Sequence, residues 1–428
     1  MNILLIQSFL AGNEVPVYPV GLAYLKAVMP EMNVRVVDLN VEAGDRRSIY
    51  DCLSRLFLEC EYDVIGISLR NIDSTNKRTV VFYYDDFIEL LGFCKKRTES
   101  RIVVGGAGFS MFAEVIMETR PEIDFGVFLE GEKTFPDLLR NLNNPERVPS
   151  VYYRKNGKVQ FTGHGGKPSF RDLPDPDMTA VPVEKYLAFP ESIGVETKRG
   201  CPLGCLYCPY GFLNGKSYRF KNPVRIVDWL ELLVQRYGLT CFTFTDSVFN
   251  VPEFHAEAIL KEMIKRDLRL SWSAWFRERE LNESFVGLAT RAGCRNFIFS
   301  PDGFSDGILN RLNKNMSRKD IWRSFHLMSA TRGCQVSYNF FKNPPGQSWM
   351  AFFQLVLFCL FAKWNMGRRI HFEFNSLRVE PHTELYQLAV SEGLIRAGDS
   401  ALNPVYYTQN KTVIIETIFN LALQCVGK

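Results

Sequence analysis

The sequence predicts two α/β domains in tandem, an amino-terminal flavodoxin-like doubly wound sheet followed by a partial (β/α)6 barrel. Three observations carry this. Short apolar runs alternate with longer amphipathic ones along nearly the whole chain, the pattern of β-α-β units built on a parallel sheet. The alternation breaks once, over 143–190, where glycines gather with Pro168, Pro174, Pro176 and Pro182. A length of 428 residues makes two or three domains, at roughly 100 to 200 residues each.

In the first series, strands are expected at 2–7, 34–39, 64–69, 101–104 and 125–129, and helices at 21–29, 46–61, 80–97, 111–120 and 133–142. Five such units correspond to the flavodoxin-like strand order, whose ligand sits at the carboxyl ends of the strands near the first and third. There the loop 71–76 behind Arg70 and the run Gly105-Gly106-Ala107-Gly108 stand out. Residues 148–154 and 158–162 read as a small hairpin inside the break. The expected division is therefore a first domain over 1–145, a linker over 146–190, a barrel over 191–398 and a short carboxyl-terminal segment over 399–428.

The second series places strands at 192–197, 241–245, 270–276, 296–300, 336–341 and 370–377, and helices at 224–237, 252–266, 284–292, 318–331 and 349–362. Six units over about 200 residues are too few for a closed eight-unit barrel of typical size, so an open, partial one is expected. The run 349–362, WMAFFQLVLFCLFA, is interrupted only by Gln354. It is shorter than the roughly 20 residues needed to span a bilayer. We read it as a buried or interface helix and no transmembrane segment, with a lipid-facing surface as the alternative.

Composition narrows the function classes. Lys and Arg number 51 against 47 Asp and Glu, a net charge of +4, with 46% hydrophobic and 23% charged residues. That is the profile of a soluble globular protein, without the basic footprint of a nucleic-acid binder. The amino terminus lacks the basic region and small-residue cleavage site of a secretory signal, which points to the cytoplasm. Phenylalanine, at 34 residues, indicates either large apolar cavities or a well-filled core. Of eleven cysteines, Cys52, Cys60, Cys94, Cys241, Cys294, Cys334, Cys359 and Cys425 are scattered singly in apolar stretches and read as buried, reduced thiols.

The other three form one motif. Cys201, Cys205 and Cys208 stand in GCPLGCLYCP, spaced C-x3-C-x2-C, directly after the first strand of the second series. Glycines and prolines make this a tight loop able to turn three thiolates towards one point. A structural zinc site normally closes with four ligands, and no second cysteine pair or nearby histidine supplies one; His164 and His255 lie outside the loop. A [4Fe-4S] cluster also normally takes four cysteines, so three leave one iron open for chemistry.

This loop resembles the signature of the radical S-adenosylmethionine (SAM) family. The resemblance implies a [4Fe-4S] cluster on Cys201, Cys205 and Cys208 whose open iron holds SAM, and reductive cleavage of SAM to a 5'-deoxyadenosyl radical. It also implies an external electron donor of the flavodoxin or ferredoxin type. Tyr207 occupies the family's aromatic position near the adenine. Asp246, in FTDSVFN, would meet the amino group of SAM, while Ser300 and Asp302, in SPDG, would meet the ribose. The segment NPPGQ departs from the family's glycine-rich, glutamate-bearing form, so Gln347 receives no role. Arg378 to Leu385 resemble the closing strand and turn. Each of these polar residues could equally be an ordinary turn or cap residue.

A doubly wound domain ahead of such a barrel resembles the cobalamin (B12)-binding subgroup, and the likeness runs from Met1 to about Gly398. It implies that Gly105, Gly106 and Gly108 admit the nucleotide tail and that Gly131 and Glu132 border the same crevice. The segment from Ser8 to Gly21 has no histidine to ligate cobalt from below, and the first histidine is His164. Arg70 is expected beneath the corrin instead, where a permanently charged guanidinium is a poor ligand and would favour four-coordinate cobalt; pairing with Asp73 is the alternative. The implied function is a B12-dependent radical SAM enzyme methylating an unactivated carbon of a small-molecule or lipid-like substrate. A radical rearrangement or cyclisation, or a non-catalytic iron-sulfur or zinc protein, are the alternatives. No residue is singled out as an acid or base of the chemistry.

Overall fold

The computed structural model describes residues 1–10, 15–43, 45–189 and 191–425. It divides into two units, Met1–Ser192 and Ile193–Lys428.

The first unit is a seven-stranded sheet. Five parallel strands, β1 (Asn2–Gln7), β2 (Asn33–Asp38), β3 (Val64–Ser68), β4 (Arg101–Gly105) and β5 (Phe125–Val127), run in the order β2-β1-β3-β4-β5, and the antiparallel hairpin β6 (Val151–Lys155) and β7 (Lys158–Phe161) extends the far edge. Buried aliphatic runs such as Ile3 to Ile6 and Val64 to Ile67 suit strands covered on both faces. Gly66 lets β3 pass under Leu5, whose Cδ2 would stand 2.6 Å from an added Cβ. Helices Val20–Ala27, Arg46–Glu59, Tyr83–Arg97 and Gly131–Arg140 match the expected ones to within a few residues. The helix expected at 111–120 is broken into Ala107–Met111 and Ala113–Thr119 at Phe112.

The stretch 146–190, expected as a linker, is packed into this unit. Its hairpin pairs with β5, Phe170 and Leu173 bury against Tyr24, and the Tyr186 hydroxyl donates to Asp38 Oδ2 at 2.7 Å. His164 therefore belongs to the first unit, with its ring 5.5 Å from Phe128 and 5.3 Å from Phe161.

The second unit carries six parallel strands, β8 (Gly194–Val195), β11 (Cys241–Phe244), β12 (Ser271–Phe276), β13 (Cys294–Asp302), β14 (Gln335–Phe341) and β15 (Ile370–Asn375), in strict sequential order. Two short ribbons are added, β9 (Lys198–Arg199) with β10 (Arg219–Phe220), and β16 (Leu377–Arg378) with β17 (Tyr406–Tyr407). This is the expected open six-unit arrangement. Side chains alternate across it. One face is aromatic: Tyr338, Phe340 and Phe372 pack beneath Phe358 of the helix Trp349–Met366, and Tyr338 bonds Ser324 of the helix Arg318–Ala330. Much of the phenylalanine excess is thus a filled layer between strands and helices. The opposite face is polar, with Thr243 bonded to Ser273 and Asn339 to Ser300.

The helices start where capping chemistry says they should. Asn222 caps Pro223–Tyr237, Asn282 caps Glu283–Arg291 and Ser348 caps Trp349–Met366. That last helix runs four residues past the expected end. The segment beyond 399 packs back on the barrel, where the Thr412 hydroxyl donates to Asn343 Oδ1 at 2.7 Å and Asn343 Nδ2 donates to the Gln409 carbonyl at 2.9 Å. Of the single cysteines, Cys52, Cys94, Cys294 and Cys334 are buried, while Cys60, Cys241 and Cys359 are only partly so. The side chain of Cys425 and residues 11–14 of the Ser8–Gly21 segment lie outside the described residues.

Candidate functional site

The cysteine loop begins where β9 ends. Gly200 has φ +93 and an added Cβ there would lie 2.1 Å from the Ser217 carbonyl oxygen, so only glycine fits. Gly204, at φ +67, makes the second turn. The Cys201 amide donates to the Gly215 carbonyl at 2.9 Å and the Cys208 amide to the Cys205 carbonyl at 3.1 Å. Two distant segments hold the loop between them: Leu206 N donates to the Leu312 carbonyl at 3.0 Å, and Leu385 N donates to the Leu206 carbonyl at 2.9 Å. The His382 ring also stacks on Phe212, just beyond Cys208, at 4.0 Å. Burial pushes the Cys205 thiol up and the Cys208 thiol to about 11, and Cys201 adds to both shifts.

Asp246, expected to meet SAM, is engaged elsewhere. Its side chain is fully buried, and its two oxygens accept from the Thr197 amide (2.8 Å), the Lys198 amide (3.2 Å), Lys198 Nζ (2.8 Å) and the Thr197 hydroxyl. Four donors fill the roughly four lone-pair sites of a carboxylate. Asp246 thus anchors the chain entering the cysteine loop. Behind it, His255 Nε2 faces the Thr197 carbonyl at 3.2 Å, and burial followed by Lys198 lowers the imidazole to about 4. The ring is neutral and donates.

Tyr207, Ser300 and Asp302 do come together, around a lysine the sequence did not single out. Lys314 Nζ donates to Asp302 Oδ2 at 2.6 Å, to the Ser300 carbonyl at 2.7 Å and to the Tyr207 hydroxyl at 3.3 Å, and Tyr207 itself donates to Asp302. Asp302 reaches this position at φ +64, where the register between β13 and β14 is irregular. Nearby, Glu278 lies two residues beyond β12 at 2% exposure, and its Oε1 has no hydrogen-bond partner among the described residues. Burial raises its carboxyl to about 7, with Lys314 opposing the shift.

In the first unit the expected crevice lies at the carboxyl ends of β1 and β3, where the strand order reverses. Gln7 Nε2 and Ser8 Oγ, at the end of β1, are buried without partners among the described residues. Arg70 is exposed at the end of β3 and close enough to Asp38 to lower its carboxyl, against the larger upward push of burial. Two of the glycines have a packing reason within the domain. An added Cβ at Gly106 or Gly108 would stand 2.7 or 2.9 Å from the Leu69 carbonyl oxygen, and the Gly108 amide donates to the Leu69 and Arg70 carbonyls at 2.9 Å each. These two glycines let the turn after β4 pack against the end of β3. Gly105 makes ordinary contact with Val127, and Gly131 and Glu132 open the helix after β5.

Two families match this chain, the B12 binding domain over residues 10–139 and the Radical SAM superfamily over 195–347. The chain joins a B12-binding domain to a radical SAM domain. Among curated proteins it is 27% identical over 308 residues to an uncharacterized methyltransferase of Pyrococcus horikoshii, covering 70% of this chain and 64% of that one. It is 27% identical over 244 residues to an anaerobic magnesium-protoporphyrin IX monomethyl ester cyclase of Rubrivivax gelatinosus, covering 53% of this chain and 43% of the cyclase. It thus spans less than two thirds of either relative. A radical S-adenosylmethionine methyltransferase, TsrM from Kitasatospora setae, solved with cobalamin and a [4Fe-4S] cluster, shares the fold at TM-score 0.77 and 20% identity over 92% of this chain and 75% of TsrM.

The donor set of the radical SAM unit suits a cluster: three partly buried thiols, Cys201, Cys205 and Cys208, stand on one loop turned by Gly200 and Gly204, and a cubane binds each thiolate to a different iron. Among the described residues no three His, Cys, Asp or Glu side chains converge on a single-ion site. In the B12-binding unit, the orphaned Gln7 and Ser8 groups and the exposed Arg70 stand where a polar ligand fits. His164, beyond the expected domain end at 145, lies in the first unit, so this unit does contain a histidine. Lys198, Lys314 and Glu278 were missed because a single charged residue in a strand or turn carries no spacing signal.

Proposed function

We propose that the protein is a B12-dependent radical SAM methyltransferase acting on an unactivated carbon of a small-molecule or lipid-like substrate. One observation carries the reading: a loop with three cysteines and no fourth, beside the Tyr207, Asp302 and Lys314 cluster, in a chain that also has a B12-binding domain. Bound there, the cluster would supply an electron to SAM, and cobalamin would carry a methyl group. The chain's own contribution is to hold these groups. Cys201, Cys205 and Cys208 hold the cluster, Tyr207, Ser300 and Asp302 face SAM with Lys314 fixing their positions, and Asp246 with Lys198 fixes the loop. In the first domain Arg70, with Gly105, Gly131 and Glu132 along the crevice, faces cobalamin. Gly106 and Gly108 shape that crevice through backbone packing. The polar face lined by Thr243, Ser273 and Asn339 suits a substrate with hydrogen-bonding groups around the carbon to be attacked. The reaction is assigned to the cytoplasm, with a flavodoxin or ferredoxin type electron donor.

The likeness to a methyltransferase favours methylation, and the likeness to a cyclase supports ring formation as the second reading. Anaerobic reconstitution with iron, sulfide and cobalamin, followed by mass spectrometry with SAM carrying a deuterated methyl group, separates them. Methylation gives S-adenosylhomocysteine and a labelled product. An unlabelled product formed with 5'-deoxyadenosine alone selects the cyclase-like reading, and failure to cleave SAM refutes both.

A further inference from the structure

The second unit exposes an apolar face that its own core does not need. On the helix Trp349–Met366, residues Phe352, Leu355, Phe358 and Ala362 bury against the barrel, while Met350, Phe353, Leu357, Leu360, Phe361 and Trp364 point outward, Leu357 at 65% and Trp364 at 84% exposure. The helix Val413–Cys425 touches it through Phe419, whose ring lies 5.3 Å from that of Phe352, and it too exposes apolar side chains, Ile414, Ile418 and Leu421. A monomer in water gains nothing from such a surface, and contiguous exposed apolar patches mark an interaction site.

Charge says what covers it. The first helix has no Asp or Glu, and the single acid of the second, Glu416, is buried and bonded to Thr408. Lys363, Arg368 and Lys411 are exposed at the helix ends. A second copy docking by the same face would bring like cations together, because an isologous contact presents one patch to itself. An anionic surface is complementary. Trp349 and Trp364 stand at the two ends of this exposed apolar face, and tryptophan is enriched at the headgroup level of membranes. The inner face is committed to the barrel through Phe352, Leu355 and Phe358, so the helix offers a ligand only its outer face.

We propose that the outward face of these two helices docks the protein flat on an anionic lipid bilayer. The docking stands independently of the methyltransferase reading.

The test is flotation of the full-length protein with vesicles of phosphatidylcholine alone or of phosphatidylcholine with one quarter phosphatidylglycerol. The protein floats with the anionic vesicles and binds the neutral ones about tenfold or more weakly, since each interfacial cation adds a severalfold factor. Leu357→Glu with Leu360→Glu abolishes flotation without changing the melting temperature, both positions being exposed. Arg368→Glu with Lys411→Glu weakens binding to the anionic vesicles only. A wild-type protein that stays unbound, or a double Leu variant that floats as well as wild type, overturns the proposal. So does light scattering that shows a dimer lost in the Leu variant with no vesicle binding, which assigns the face to a second copy.

Discussion

Lys198 Nζ and Asp246 Oδ2 form an ion pair 2.8 Å long with side-chain exposures of 1% and 0%, in the turn that launches the cysteine loop. The pair is lopsided. Without Lys198, the carboxylate keeps three donors from Thr197 and the Lys198 amide; without Asp246, the ammonium keeps the Phe249 carbonyl at 3.1 Å and two aromatic rings.

Asp246→Ala should therefore cost more than Lys198→Met. Stranding a buried charge costs about 3 to 5 kcal/mol, and the carboxylate variant should fall in that range while the lysine variant falls below it. Denaturant midpoints check this. Iron content after reconstitution should drop in the same order, because the loop loses its anchor.

Alanine at Cys201, Cys205 or Cys208 should abolish cluster assembly, read as iron and sulfide per chain. Alanine at Cys60 or Cys241, which are partly exposed single thiols, should leave both unchanged. A variant of the triad that retains a cluster and cleaves SAM refutes the assignment.

Lys314→Met removes the donor shared by Asp302, Ser300 and Tyr207. Hydrogen bonds to charged groups are worth about 1.5 to 3 kcal/mol, so SAM retention in equilibrium dialysis should weaken by about tenfold to a hundredfold. Iron content should stay near wild type, which separates a SAM-binding role from a loop-folding one.

Glu278 has a folded-state carboxyl near 7 against an ordinary 4.5. Between those pH values the folded chain holds a proton that the unfolded chain has released, so stability falls as pH rises from about 4.5 to 7 and is flat above. The shift corresponds to roughly 3 kcal/mol at most. Glu278→Gln should raise the melting temperature at pH 8 and lose that advantage towards pH 5, measured on protein without added SAM.

Electron paramagnetic resonance of the cobalamin-loaded protein should show no nitrogen ligand to cobalt from the protein, and His164→Ala should leave the spectrum unchanged. If nitrogen coupling is present and disappears in His164→Ala, the histidine of the hairpin is the lower ligand and the role given to Arg70 is wrong.

Much of this architecture is legible in the sequence because it rests on periodicity. The parallel strands, their helices and the C-x3-C-x2-C loop all follow from local pattern. What escaped depends on contacts between distant residues. The stretch 146–190 reads as a linker because proline and glycine mark turns without saying that Tyr186 will reach back to Asp38. Gly106 and Gly108 resemble nucleotide-binding glycines, yet the Leu69 carbonyl accounts for both. Asp246 stands in the expected motif, but its four donors come from the preceding strand and turn. Lys314 is invisible until the helix Asp306–Arg311 turns the chain back and brings it onto Asp302 and Tyr207.

The cysteine loop is clasped by Leu312 on one side and Leu385 on the other. Its three thiols leave the ribosome long before Leu385 does, so the newly made loop lacks half of its clasp. Iron delivered to the nascent chain would meet a floppy trithiol, open to oxidation and to the wrong metal. The second half of the clasp forms only after the last barrel turn has been synthesised and closed.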